Sequence, residues 1–304
     1  MIEFHSAFMM QIFLLCLMLV GFITVKARMV NDQARSSMTD LILCVFLPAN
    51  ILYSFFGADM ALLPSLGIIL LISSGILVLS FLLSLVLYKR VGPEQKKVLV
   101  YATLISNASL LGNPVIESIY GHEGVTYVAA YLLPFRVAVW TVGLAIFTGG
   151  KKGNLKKVAF HPCLVATYLG LLVMITGFTP PDVVSRLVFT LGSCTTPLSM
   201  MVVGGILAMV DLKKIITRLT AYFTFIRLVL IPLLVMGILL VLRPDPAVSV
   251  ISVILCGMPA GATTSILADK YGGDSELASR IIFVTTILSM ITIPLLFLLL
   301  QRVF

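Results

Sequence analysis

Apolar stretches of roughly 17–25 residues recur from end to end of the chain, and each could cross a ~30 Å hydrocarbon layer as a helix. Nothing else in the sequence restricts its fold so strongly. Of 304 residues, 60% are hydrophobic and only 11% are charged, where a soluble domain carries about 25% charged residues. Too little polar surface remains to cover such a core, which excludes a large soluble helical protein. The spans also leave no room for a separate soluble domain.

Helices are expected at about 7–26, 39–57, 65–88, 98–120 and 124–148, then at about 160–177, 184–210, 216–242, 247–268 and 276–302. The first follows a short polar start without a basic front or a small-residue cleavage site, so it reads as a retained helix rather than a signal peptide. Predicted helices 2, 4, 7 and 9 contain Pro48, Pro114, Pro197 and Pro259. A proline inside a span frees a backbone carbonyl, which must find another partner in lipid. Cys16, Cys44, Cys163, Cys194 and Cys256 all lie in apolar segments without metal-ligand spacing, so neither a disulfide framework nor a metal site is expected.

The formal net charge is +8. The basic residues sit in short loops, so membrane topology explains them and nucleic acid is not an expected partner. Lys26, Arg28 and Arg35 follow the first helix, and Lys89, Arg90, Lys96 and Lys97 follow the third. Lys151, Lys152, Lys156 and Lys157 follow the fifth, Lys213, Lys214 and Arg218 the seventh, and Lys270 the ninth. The opposite side holds Arg186, Arg243 and Arg302. The positive-inside rule makes the odd loops cytoplasmic and places both termini outside.

The two halves echo each other. Pro48 and Pro197 both fall in second helices, and Tyr120-Gly121 and Tyr271-Gly272 both follow a broken helix, at offsets near 150. Five helices per half is an odd number, so the second half enters the membrane in the opposite sense. The expected fold is all-α and integral to the membrane: ten helices in two inverted repeats, 1–153 and 154–304, with broken crossing helices 4 and 9.

Those two helices carry the main candidate residues. Ser106–Pro114 contains Asn107, Gly112, Asn113 and Pro114; Gly257–Ser265 contains Pro259, Ala260, Gly261, Thr263 and Thr264. Small residues, hydroxyls, amides and a proline at mid-span weaken helix continuity, and exposed backbone at that depth is tolerated only against protein or a wet cavity. Simple proline kinks with close Gly/Ala packing are the alternative. Half-helices starting at Pro114 and Pro259, the first capped by Asn113, would aim two positive ends at one point and suit a carboxylate. Arg136, inside predicted helix 5, is a candidate second anchor, with a structural ion pair to Glu117 as its alternative. Glu117 meets the dipole of its own half-helix or carries a coupling proton. Arg227 reads as a snorkelling cation. Pro48, Gly112, Pro197 and Gly261 are candidate breaks or hinges.

Asn107…Gly112-Asn113-Pro114…Tyr120-Gly121…Trp140-Thr141-Val142-Gly143 resembles the auxin efflux carrier family. So do Leu47-Pro48-Ala49, Thr196-Pro197-Leu198-Ser199, Arg227-Leu228-Val229-Leu230-Ile231-Pro232 and Met258-Pro259-Ala260…Ala268-Asp269-Lys270-Tyr271-Gly272, in order along nearly the whole chain. The resemblance implies a scaffold of helices 1, 2, 6 and 7, a moving domain of helices 3–5 and 8–10, a substrate site where helices 4 and 9 cross, and a homodimer. The short loop between helices 5 and 6 is similar to the bacterial, malate- and malonate-permease-like branch. Arg136 stands where that family often has an amide, which tilts the expected substrate toward a small dicarboxylate.

The expected function is therefore secondary transport of small organic anions such as malate, malonate or auxin-like acids, by elevator-type alternating access in the cell's inner (plasma) membrane. No cofactor and no enzymatic activity are expected, and a proton or sodium ion is the candidate coupling ion. The rivals are a sodium-coupled symporter of the bile-acid type and, from another class, an anion channel or membrane sensor. The loop charges give the first prediction. Ile2→Cys and Asn154→Cys variants, each in a chain whose five native cysteines are replaced, react with an impermeant maleimide from opposite sides of the membrane; reaction from the same side contradicts the topology.

Overall fold

The computed structural model describes residues 4–56, 60–148, 160, 162–209, 215–261 and 263–304. Among them the chain is helical, and an isolated antiparallel bridge between Ser106 and Ala260 is the only β pairing. Among the described residues, six helical runs are long and apolar enough to cross a membrane: Asp32–Ser54, Leu63–Leu87, Ala108–Thr148, Asp182–Gly205, Arg218–Leu242 and Ser275–Val303. Leu15–Lys26, Pro162–Thr176 and Pro246–Cys256 are shorter apolar helices. The expected cytoplasmic cluster Lys151–Lys157, Lys213–Lys214 and the boundary at 153/154 lie outside the described residues.

The Leu63–Leu87 helix shows what kind of surface this chain presents. Leu71 is 73% exposed, and Val78, Leu82 and Val86 on the same face are exposed too, while Ser73, Ser80 and Ser84 are buried. Ser73 and Ser84 turn their hydroxyls back on the carbonyls of Leu70 and Phe81, so each buried hydroxyl has its partner inside its own helix. A helix that buries its serines and exposes its leucines has lipid as its outer solvent. The chain is a multi-pass membrane protein.

Three prolines leave the same mark on the helices that hold them. Pro48, Pro114 and Pro232 each lie two residues beyond a π-helical turn: Ile42–Phe46, Ala108–Gly112 and Ile226–Leu230. A proline donates nothing, and its ring collides with the carbonyl four residues back. Widening the preceding turn moves that carbonyl aside. The amides of Leu47 and Ile231 accordingly reach five residues back, to Ile42 and Ile226. Pro197 instead sits in the first turn of Thr195–Leu207, just after a break at Cys194.

The chain divides into two compact units. The first comprises Met1–Gly67, Asn113–Ala130 and Lys156–Met209; the second comprises Ile68–Gly112, Tyr131–Leu155 and Val210–Phe304. In the first, the Phe4–Lys26 helix lies against Thr195–Leu207, and Leu47–Ser54 against Pro162–Thr176 and Asp182–Ser193. Small residues permit these approaches: a Cβ on Gly21 or Gly204 would overlap the facing backbone of Met201 or Met18, and one on Gly170 the Phe55 ring. In the second, Ser275–Val303 packs on Pro93–Leu104, Arg218–Phe225 and Thr263–Tyr271. Gly121, at φ 62°, interrupts the Asn113–Ala138 helix, and Gly272, at φ 76°, follows Thr263–Tyr271. The two Tyr-Gly pairs singled out in the sequence thus both end helical runs in the left-handed conformation that favours glycine.

The close approach of two helices through Gly204 yields a prediction. Gly204→Ala forces those backbones apart and lowers the thermal midpoint, with overpacking of this kind costing about 1–3 kcal/mol. Gly75→Ala, at a helical site with no atom within 4 Å of the added Cβ, raises the midpoint or leaves it unchanged, because alanine favours a helix over glycine by about 0.8–1 kcal/mol. Equal responses in purified protein would contradict the packing.

Candidate functional site

In the second unit the Pro93–Leu104 helix stops and the chain runs extended through Ile105, Ser106 and Asn107 before helical structure resumes at Ala108. The Pro246–Cys256 helix stops likewise, and the chain resumes as the helix Thr263–Tyr271. The two interruptions meet each other. The Asn107 amide donates to the Pro259 carbonyl at 2.8 Å and the Gly261 amide to the Ile105 carbonyl at 3.1 Å, on either side of the Ser106–Ala260 bridge. The Ala260 amide donates to Thr285 Oγ1 at 3.2 Å. A Cβ on Gly261 would come within 3.1 Å of the Ile105 carbonyl, and one on Gly112 within 2.7 Å of Leu255, so both glycines serve close approach.

Arg227 completes this arrangement. Its guanidinium, only 2% exposed, donates from Nε to the Met258 carbonyl at 3.0 Å and from Nη1 to the Thr103 carbonyl at 2.8 Å. One side chain therefore ties together the ends of both interrupted helices. The sequence expectation of a snorkelling cation is overturned. Its π-helical turn before Pro232 lies beside the crossing, and the loosened carbonyls there are better partners than distant water.

Two further expectations change. Pro114 and Pro259 do not start the half-helices: helical structure begins six residues before Pro114 and four residues after Pro259. Proline disfavours helical backbone in the residue before it, which helps keep the Met258-Pro259 segment out of a helix. Asn113 caps no helix end. The Asn113–Ala138 helix continues directly from the Ala108–Gly112 turn, with no side-chain cap.

Asn113 instead belongs to a polar cluster within the first unit. Its Nδ2 donates to Asn50 Oδ1 at 3.0 Å, and Asn50 Nδ2 lies 3.3 Å from Glu117 Oε1 and 3.4 Å from the Gly192 carbonyl. Thr196 Oγ1 reaches Glu117 Oε2 at 3.5 Å, and His122 Nδ1 stands 3.5 Å from Glu117 Oε1. Pro114, Glu117, His122, Asn50 and Thr196, with Tyr53, Ser118, Phe189, Gly192 and Ser193, line a cavity of 320 Å³. The Tyr53, His122 and Phe189 rings wall one side, with centroids 4.9–6.1 Å apart. Glu117 is thus flanked by an amide, a hydroxyl and an imidazole.

The structure therefore sorts the sequence-predicted residues into two groups. Asn107, Gly112, Pro259, Ala260 and Gly261 converge at the paired interruptions in the second unit. Thr263 opens the following helix, where its hydroxyl meets that of Tyr101 at 2.9 Å, and Thr264 is buried beside it. Arg136 is half-buried in the last turn of Asn113–Ala138, also in the second unit. Pro114 and Glu117 line the first unit's cavity, Asn113 bonds to Asn50 at its wall, and Pro48 and Pro197 each lie within two residues of a lining residue, Asn50 or Thr196. Sequence reasoning missed Asn50, His122 and the role of Arg227. Asn50 carried a usable signal: an amide two residues after a mid-span proline faces inward, because it cannot face lipid.

Paired helix interruptions with a buried cation joining them give this membrane protein a stretch of buried irregular backbone, the construction used for solute sites in transporters. The family comparison agrees: the model of the family described as "Membrane transport protein" matches residues 6–297. The chain belongs to that family, as its resemblance to the auxin efflux carriers implied. It is similar to an uncharacterized transporter of Methanothermobacter thermautotrophicus, 27% identical over 92% of this chain and 94% of that protein. It is also similar to a protein of Rhizobium meliloti provisionally described as a malonate transporter, 28% identical over 64% of this chain and 63% of that protein. An uncharacterized transporter of Methanocaldococcus jannaschii is 24% identical over 92% of this chain. The protein is a membrane transporter.

The cluster around Glu117 gives a prediction. Asn50→Leu strands the Asn113 amide and removes a donor from Glu117, and stranding buried polar groups costs about 1–3 kcal/mol. Thr196→Val removes only the long 3.5 Å contact. Thermal midpoints of the two purified variants should fall well below and close to wild type, respectively; the reverse order would show that Asn50 does not organise the cluster.

Proposed function

We propose that this transporter is a secondary carrier of small organic anions, dicarboxylates foremost, that works by elevator-type alternating access. The observation that carries the reading is the pairing of the two interruptions. The helical runs beginning at Ala108 and Thr263 start within a few residues of the Ser106–Ala260 bridge. Each such end presents unpaired amides and a partial positive charge worth about 0.3–2 kcal/mol to an anion. Asn107, Ala260, Thr263 and Thr264 would surround a first carboxylate there, and the planar fork of Arg136 would hold a second. The provisional malonate assignment of the Rhizobium meliloti relative supports a small dicarboxylate.

Two further features support the cycle. The chain forms two compact units, as an alternating movement of one body against another requires. One contains the helices expected to form a scaffold, together with the 113–130 segment; the other contains the interruptions. Glu117, held by Asn50, Thr196 and His122, is the proposed proton-coupling group. In this reading ten crossings form two inverted repeats: the 41-residue run Ala108–Thr148, broken at Gly121, makes two passes, and both termini lie outside the plasma membrane.

Purified protein in liposomes decides between a carrier and a channel. Uptake of labelled malonate or malate should saturate and show counterflow; linear flux without counterflow would contradict a carrier. Arg136→Gln should weaken dicarboxylate binding by roughly 1.5–3 kcal/mol, the scale of a hydrogen bond to a charged group, or about 10- to 150-fold in Kd. A monocarboxylate should lose much less. Equal losses for both anions would show that Arg136 does not hold the second carboxylate.

A further inference from the structure

Backbone carbonyls at helix interruptions and half-helix C-terminal ends are the groups with which membrane transporters coordinate a coupling sodium ion. This chain has such carbonyls at its crossing. Thr103 lies in the last turn of Pro93–Leu104, and Met258 lies two residues beyond the end of Pro246–Cys256. Both helices turn their negative ends toward this place. Their carbonyls already accept from Arg227, at 2.8 and 3.0 Å.

Arg227 is fully enclosed, and among the described residues no carboxylate pairs with it. The titratable groups that bear on it electrostatically are Tyr88, Tyr131 and Cys256. Tyr88 is itself bonded to Thr103 Oγ1 at 2.9 Å. Arg227 Nη2 and the Tyr131 hydroxyl are buried without a hydrogen-bond partner among the described residues. A permanent cation buried without an anion is costly unless dipoles replace its water. Here two carbonyls and two helix ends do so, the same kind of dipoles that coordinate a sodium ion in transporters.

We propose that the Arg227 guanidinium is a resident cation filling the carbonyl site at the crossing, so that the carrier needs no sodium ion there, and that its removal leaves a site for a small guanidinium-type cation. The sodium-independence rests on the carrier reading above; the occupancy does not. A sodium ion brought beside the fixed guanidinium in this low-dielectric interior would be repelled. The positive charge also stays through the cycle, because it is tethered to the Arg218–Leu242 run and cannot dissociate.

The test uses purified full-length protein, read by thermal midpoint and by uptake in liposomes. Wild-type uptake should be unchanged when potassium replaces sodium on both sides; sodium-dependent uptake overturns the sodium-independence. Arg227→Ala should lower the midpoint and cut uptake at least about tenfold, since it strands two buried carbonyls. Methylguanidinium at millimolar concentration should recover at least about half of the midpoint loss by binding the folded state, and tetramethylammonium none. No recovery, or equal recovery by both ions, overturns the resident-cation role. If Arg227→Ala yields no folded protein, Arg227→Lys and Arg227→Met decide: lysine closer to wild type than methionine in midpoint supports a required charge, and methionine equal to or better than lysine overturns it. The midpoint arm needs no transport, so failure of the carrier reading would appear separately, as absent organic-anion uptake by wild type.

Discussion

A backbone amide or carbonyl left unpaired in hydrocarbon costs several kcal/mol, so a helix can stop inside a membrane only where something else takes over its hydrogen bonds. Two helices of this protein stop against each other, and each supplies much of what the other lacks. Asn107 and Gly261 donate across the gap to Pro259 and Ile105, Thr285 accepts from Ala260, and Arg227 donates to Thr103 and Met258. The remaining arrangement of the second unit follows from this exchange. Gly261 must lack a side chain for the two non-helical segments to meet, Gly112 must lack one to let Leu255 approach, and the Arg218–Leu242 run must pass close enough to deliver its guanidinium.

The exchange also separates charge. Helix C-terminal ends gather on Arg227, where their negative partial charge is already matched by a cation. The helical runs that begin at Ala108 and Thr263 follow the interruptions, so their ends carry the opposite partial charge. Arg227 supplies the charge that holds the two interruptions together. The first unit solves a different problem. Its helices approach through Gly21, Gly170, Gly192 and Gly204, and its carboxylate lies among an amide, a hydroxyl and a histidine.

The helical, membrane-spanning character of the chain was legible because lipid admits few alternatives: long apolar runs, few charges and short basic loops. The interruptions were legible too, since Asn107-to-Pro114 and Pro259-to-Ser265 put helix-weakening residues where lipid forbids a loop. What those interruptions do with each other was not. Proline position suggested half-helices starting at Pro114 and Pro259, but a proline disturbs the turn before it. The π-helical turn before Pro114 shifts the break to Ile105–Asn107, and the Pro259 segment pairs as a strand. Arg227 was misread for a related reason. Distance along a helix to its cytoplasmic end predicts snorkelling, whereas a partner 124 residues away in sequence, the Thr103 carbonyl, cannot be seen from that distance. Asn50 and His122 were overlooked because each gains meaning only beside Glu117.

The account depends on the two interruptions facing each other residue for residue. Directly opposed residues of an antiparallel pair have Cα atoms about 4.5–5.5 Å apart, within the range of about 4.4–6.8 Å that a disulfide bridges. The most direct measurement is therefore oxidation of a Ser106→Cys, Ala260→Cys double variant in native membranes, read as a linked peptide pair by mass spectrometry. The account predicts rapid linkage of 106 to 260, with little linkage of 106 to the native Cys256. Failure of 106 to link with 260, or linkage as efficient with 256, would contradict the paired crossing.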